Sequence, residues 1–204
     1  MTRLHFSLLA FFLSFPFTLV SKEAPPHIII AADHSASMVR NGNIELQTKA
    51  IVDSVNLYTL ACSNVTVSYI PWGYRPADPI VFTIRDTAGA RSFTDHLTNH
   101  LRWLVLDQTV HQYAMDSAIT QAASIEASTT AIVFITDDFG TSVDYALPDN
   151  VSLIKISLGE QKVSEYMNDR FMPQVGEHYH ARDANQLGEI IKQVFGDLAG
   201  LCIG

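Results

Sequence analysis

Residues 27–32, HIIIAA, are almost wholly apolar with β-branched centres, the signature of a central strand covered on both faces. The run stops at Asp33. A loop holding Asn41, Gly42 and Asn43 follows, and Ile44, Ile51, Val55, Tyr58 and Cys62 then recur on one face, so the pattern predicts strand, loop, helix. Val65–Trp72 (VTVSYIPW) and Ile80–Ile84 (IVFTI) read as two more strands. The short connection through Gly73 and Pro76 makes the second an antiparallel neighbour of the first. Residues 88–104 have a helical pattern, and Met115, Ala118, Ile119 and Ala122 form the apolar stripe of another helix. Residues 131–136 (AIVFIT) are a further buried strand, and it too ends in an aspartate, Asp137.

The alternation continues with a strand over Val151–Leu158, a helix near 160–168 and a short strand at 178–181. A last helix carries Leu187, Ile190, Ile191, Val194 and Leu198. Strands alternating with amphipathic helices predict an α/β three-layer sandwich: a mostly parallel central sheet, one antiparallel edge strand and helices on both faces, Rossmann-like in layout. In such sheets ligands bind beyond the carboxyl ends of the strands, where Asp33 and Asp137 both lie.

The chain of 204 residues is 48% apolar and 17% charged, a profile that excludes disordered and fibrous classes and supports one core. It shows no internal repeat, low-complexity tract or long linker, so residues 22–204 are expected to form a single domain. Residues 1–21 have the layout of a secretory signal: Arg3, an apolar run of 13 residues from Leu8 to Val20 broken by Pro16, and then Ser21. That run is short for a bilayer span. The expectation is cleavage after Ser21, a secreted or periplasmic protein and no membrane span in the mature form. The net charge of −8, one unit more negative once Arg3 is removed, argues against a nucleic-acid partner. Export puts Cys62 and Cys202 where disulfides persist. They are expected to pair, a bridge worth roughly 5 kcal/mol on the chain-entropy account.

The string Asp33-His34-Ser35-Ala36-Ser37 offers one carboxylate and two hydroxyls at alternate positions of a loop directly after the first strand. An all-oxygen set suits a hard ion, Mg²⁺, Mn²⁺ or Ca²⁺, whereas zinc prefers nitrogen and sulfur. Ser and Asp also cap helices and close turns, so the string alone leaves metal binding open. With two other segments, however, it resembles the von Willebrand factor A family. The metal-ion-dependent adhesion site of that family combines Asp-x-Ser-x-Ser, a threonine on a second loop and an aspartate after a later strand. Thr109 in TVHQYAMDSAI matches the second element and Asp137 in AIVFITDDFG the third, in the family's order and spacing, and VSYIPWG is similar to the second strand of a sparsely characterised bacterial secreted branch.

The resemblance covers nearly the whole chain after residue 21. It implies a von Willebrand factor A fold and a non-enzymatic binding module. Ser35, Ser37 and Thr109 would touch the ion, Asp33 and Asp137 would act directly or through water, and one position would be left for an Asp or Glu carboxylate of a protein partner. The sequence departs from the family at Asp107-Gln108, where glycines are common, and at Asp138, where glycine is frequent; His34 and His111 are unusual so near the site. Asp138, His34 and His111 are therefore candidates for a surrounding layer.

Two other chemistries use the same loops. A metal-dependent hydrolase would need His34 or His111 as a base, and a scaffold could keep the fold with a degenerate, empty site. A serine hydrolase lacks its Gly-x-Ser-x-Gly elbow. The pairs His96/His100 and His178/His180 have chelating spacing but no evident third ligand.

Overall fold

The computed structural model describes residues 24–62, 64–101, 105–106, 110–138, 147–160, 162, 165 and 176–200, the side chains of 100, 101 and 200 excepted. The strands are β1 (His27–Asp33), β2 (Val65–Trp72), β3 (Ile80–Ile84), β4 (Thr130–Thr136), β5 (Val151–Leu158) and β6 (Glu177–Ala181). The helices are α1 (Ala36–Arg40), α2 (Asn43–Ala61), α3 (Thr87–His96), α4 (His111–Ser124) and α5 (Ala184–Gly200), with a π-helical turn, Leu97–Leu101, closing α3. The strands form one sheet in the order β3-β2-β1-β4-β5-β6. All neighbours are parallel except β3, which joins β2 antiparallel at one edge. The predicted α/β sandwich with one antiparallel edge strand is thus the observed one.

Alternation of side chains sorts this sheet into two cores. In β1, Ile28, Ile30 and Ala32 face the layer of α2 and α5, where they meet Ile51, Val55, Ile191 and Phe195. Ile29 and Ala31 face α4, where they meet Ala114, Met115 and Ala118. Every residue of β1 is buried, which is why its sequence is an unbroken apolar run rather than an alternating one.

Two elements differ from the sequence expectation. The stretch after Ser35 is not simply loop: extended Ser35 precedes a single helical turn, α1, and Gly42 at φ 68° redirects the chain into α2. That left-handed geometry is where glycine is favoured. The second helix-like stretch changes to π geometry after His96, and residues 102–104 lie outside the described residues, as does most of 160–168.

Gly176, which leads into β6, has φ +81°, and a Cβ there would lie 2.1 Å from the carbonyl oxygen of Leu153. Gly176→Ala is expected to destabilise by about 3 kcal/mol or more, combining backbone strain with a clash against a strand backbone. Urea unfolding of the variant checks this, and an unchanged midpoint would show that the turn can rearrange.

At the amino end of β1 the buried His27 Nε2 lies 2.8 Å from Ser68 Oγ. Burial lowers its pKa from 6.5 to about 4, so the unfolded chain takes up a proton before the native one. Its contribution is fully present above pH 6.5 and is lost as pH falls toward 4. His27→Gln should make stability depend less steeply on pH across that window. Equal slopes for both proteins would exclude His27 as a source.

A candidate metal-binding rim

Asp33 ends β1 with its side chain on the α4 face, wholly buried. One carboxylate oxygen accepts the Ser35 backbone N–H at 2.7 Å, closing a tight turn that breaks the strand and presents the next residues to the rim. The other accepts the Thr136 hydroxyl at 2.7 Å. Beyond the turn, Ser35 Oγ and Ser37 Oγ are 2.9 Å apart, and Ser37 donates to Asp137 Oδ1 at 2.7 Å. The Ser35 side chain also hydrogen-bonds the Asp33 carboxylate, so Asp33, Ser35, Ser37 and Asp137, drawn from positions a hundred residues apart, make one continuous string of oxygens. Ser35 is nearly buried, while Ser37 and Asp137 are partly open to solvent. Gln47 of α2 donates to the Asp33 carbonyl oxygen at 3.1 Å, fixing the end of the strand from the opposite layer.

A second loop approaches the same point. The Leu106 N–H donates to the His34 carbonyl at 2.8 Å, and the Val110 N–H to the Gly73 carbonyl at 3.1 Å. Thr109 and Asp107 lie outside the described residues, but residues on both sides of them are tied to the rim. His111 opens α4 and is held in an aromatic nest, its ring centre 5.2 Å from Trp72 and 5.5 Å from Phe134. Its Nε2 lies 3.4 Å from the Thr136 hydroxyl.

The electrostatics follow from burial. Asp33 is raised to about 7, chiefly by desolvation, with the hydrogen bonds from Ser35 and Thr136 pulling down and the charge of Asp137 pushing up. Asp137 is raised by burial and by Asp138, against hydrogen bonds from Ser37, Asn43 and Asn41. His111 falls to about 3 because burial outweighs the opposing charge of Asp138, so it is neutral at physiological pH.

No family profile and no curated protein sequence matches the chain. Solved structures do. The PilB minor pilin of Streptococcus sanguinis aligns with a TM-score of 0.64 at 10% identity, over 88% of this chain and 62% of that one. A von Willebrand factor type A protein from Catenulispora acidiphila aligns at 0.55 and 13% identity, over 87% and 43%. Proximal thread matrix protein 1 from the mussel byssus, solved with a zinc-occupied MIDAS motif, aligns at 0.58 and 13% identity, over 87% and 46%. This chain has a von Willebrand factor type A fold. It spans between two-fifths and two-thirds of the length of these three proteins.

In this von Willebrand factor type A fold the oxygen string suits a hard cation on its own chemistry. Two carboxylates, each disfavoured in its charged form, share a small space with hydroxyls that bring one proton apiece. Among the described residues, neither ion pair, Lys49–Asp53 nor Lys192–Glu189, touches them. The chemistry of such a donor set fits a divalent ion.

Sequence reasoning missed Thr136, Asn41 and Asn43. Thr136 had a signal: it shares strand parity with Ile132 and Phe134, which face α4 as Asp33 does. Of the surrounding candidates, His111 reaches the site through Thr136, and the Asp138 N–H donates to the same hydroxyl at 3.2 Å. His34 turns away, its Nε2 bonded to Tyr69 Oη at 2.9 Å in the opposite core. The pair His178/His180 converges on Ser157 Oγ, at 3.0 and 2.9 Å. Among the described residues no three His, Cys, Asp or Glu side chains are grouped to hold a metal.

Thr136→Val keeps the shape of the strand and removes the hydroxyl that orients Asp33. It is expected to weaken divalent-ion binding about tenfold or more, read by calorimetric titration. Undiminished affinity would mean that Asp33 needs no orientation from β4.

Proposed function

We propose that the chain is an exported binding module in which Asp33, Ser35, Ser37 and Asp137, with Thr109 from the second loop, hold a divalent cation. The ion is Mg²⁺, with Mn²⁺ and Ca²⁺ as substitutes. When bound, it supplies an open coordination position that attracts an Asp or Glu carboxylate of a protein partner. The observation that carries this reading is the continuous oxygen string between Asp33 and Asp137 at the carboxyl ends of β1 and β4.

A hydrolase at the same loops needs a base beside the accessible oxygens. Both proposed bases are wholly buried, His34 against Tyr69 and His111 against Trp72 and Phe134, and this favours binding over catalysis.

Secretion fits the signal-like first 21 residues, which lie outside the described residues, and no helix among the described residues is long and apolar enough to cross a membrane. In the same reading Cys62 pairs with Cys202. Titration of the purified chain with Mg²⁺, Mn²⁺ and Ca²⁺, beside a Ser35→Ala, Ser37→Ala double variant, tests the proposal. Saturable binding lost in the variant is expected, whereas heatless titrations of both proteins would leave only a scaffold.

A further inference from the structure

Beside the rim, where β2 ends and α4 begins, three side chains form an ordered and exposed group. Tyr74 and Tyr113 meet edge to face with ring centres 6.4 Å apart, and both are more than two-fifths exposed. The Arg75 guanidinium sits 5.8 Å from the centre of the Tyr74 ring. Arg75 is exposed and has no ion pair among the described residues, which is notable in a chain of net charge −8. It opens onto a cleft of about 640 Å³ bounded by Pro76, Pro79, Tyr113 and Asp116.

This group is continuous with the candidate metal rim. Tyr74 follows Gly73, whose carbonyl holds Val110, and Tyr113 stands in the first turn of α4, two residues after His111, which touches Thr136. Two exposed tyrosines give rigid contact area at low entropic cost. Stacking on an aromatic ring restricts a guanidinium while leaving its planar N–H fork open to a carboxylate.

We propose that this cleft reads a second acidic residue of the partner, so that the recognised segment is di-acidic: one carboxylate goes to the ion and another to Arg75, with the backbone between them lying on Tyr74 and Tyr113. The inference rests on the metal-docking reading above. Asp116, on the α4 side of the cleft, repels a carboxylate and so confines the second acid to the Arg75 end.

The test uses the full exported chain, loaded with Mn²⁺, and synthetic peptides in which two aspartates are separated by zero to six glycines, beside peptides with one aspartate. The best-spaced di-acidic peptide should bind roughly five- to tenfold tighter than the mono-acidic one, the range between an exposed ion pair and an ordered bidentate contact. Arg75→Ala should erase that advantage while leaving Mn²⁺ affinity and mono-acidic binding unchanged. Tyr74→Ala, which removes the stacking ring, should reduce it. Equal binding of both peptide classes at every spacing, or an advantage that survives Arg75→Ala, overturns the cleft assignment while the metal site stands. A preference for a lysine at the second position, lost in Asp116→Ala, overturns it too and gives the cleft to a basic residue. Failure of the metal reading shows separately, as absence of Mn²⁺ binding.

Discussion

Asp33→Asn is expected to stabilise the metal-free protein and to abolish its response to divalent ions, two effects of opposite sign from one substitution. The first follows from burial: the Asp33 carboxyl is pushed up to about 7 because its charged form is desolvated beside Asp137. An amide of the same shape carries no charge. Its oxygen can accept the Ser35 N–H, and its NH₂ can donate to the Thr136 hydroxyl, which then turns its own proton toward His111 Nε2, so the hydrogen bonds recorded at this position have replacements. In EDTA above pH 7 the gain should be about 2 kcal/mol. With Mg²⁺ at a thousand times its dissociation constant the native protein should gain about 4 kcal/mol through binding, and the variant none. Denaturant unfolding with and without Mg²⁺ measures both halves. A variant less stable in EDTA, or one still stabilised by Mg²⁺, would remove Asp33 from the role assigned to it.

The same residue marks how far the sequence could be read. Asp33 and Asp137 were legible because each closes a nearly all-apolar run, and a strand buried on both faces must stop at the rim where polar side chains begin. Ser35 and Ser37 were legible from their alternation after Asp33. The partners that hold these groups were not. Thr136 reads as the last residue of a strand, and its bond to Asp33 depends on which strands become neighbours, a fact of topology that no local window contains. Asn41 and Asn43 read as turn residues. Their turn to Asp137 depends on the short α1, five residues that carry almost no periodic signal. His34 illustrates the opposite error, since proximity in sequence suggested a place at the site while strand alternation sends its ring to Tyr69. Arg75 and its tyrosines were invisible for the same reason as Thr136: β2 and α4 meet only in the folded chain.

A protein lacking both cysteines should be destabilised more than any single surface variant. Helices α2 and α5 run side by side in the same direction. Gly188 lies over Ala50, Tyr58 meets Phe195 edge to face, and the Cys62 sulfur comes within 3.9 Å of the Ala199 carbonyl oxygen. Cys202, three positions after Ala199 in the sequence, lies outside the described residues. A bridge between Cys62 and Cys202 would close residues 62–202 into one long loop, and long loops are the case in which a cross-link restricts the unfolded chain most, by roughly 5 kcal/mol before any strain. Cys62→Ser with Cys202→Ser should therefore lower the unfolding midpoint by roughly 10–15 °C, and reductant should move the native protein by a similar amount while leaving the variant unaffected. Thiol titration in denaturant gives a readout independent of stability: none before reduction and both cysteines after it. Two reactive thiols in the unreduced protein would mean that the helices are held by their apolar faces alone.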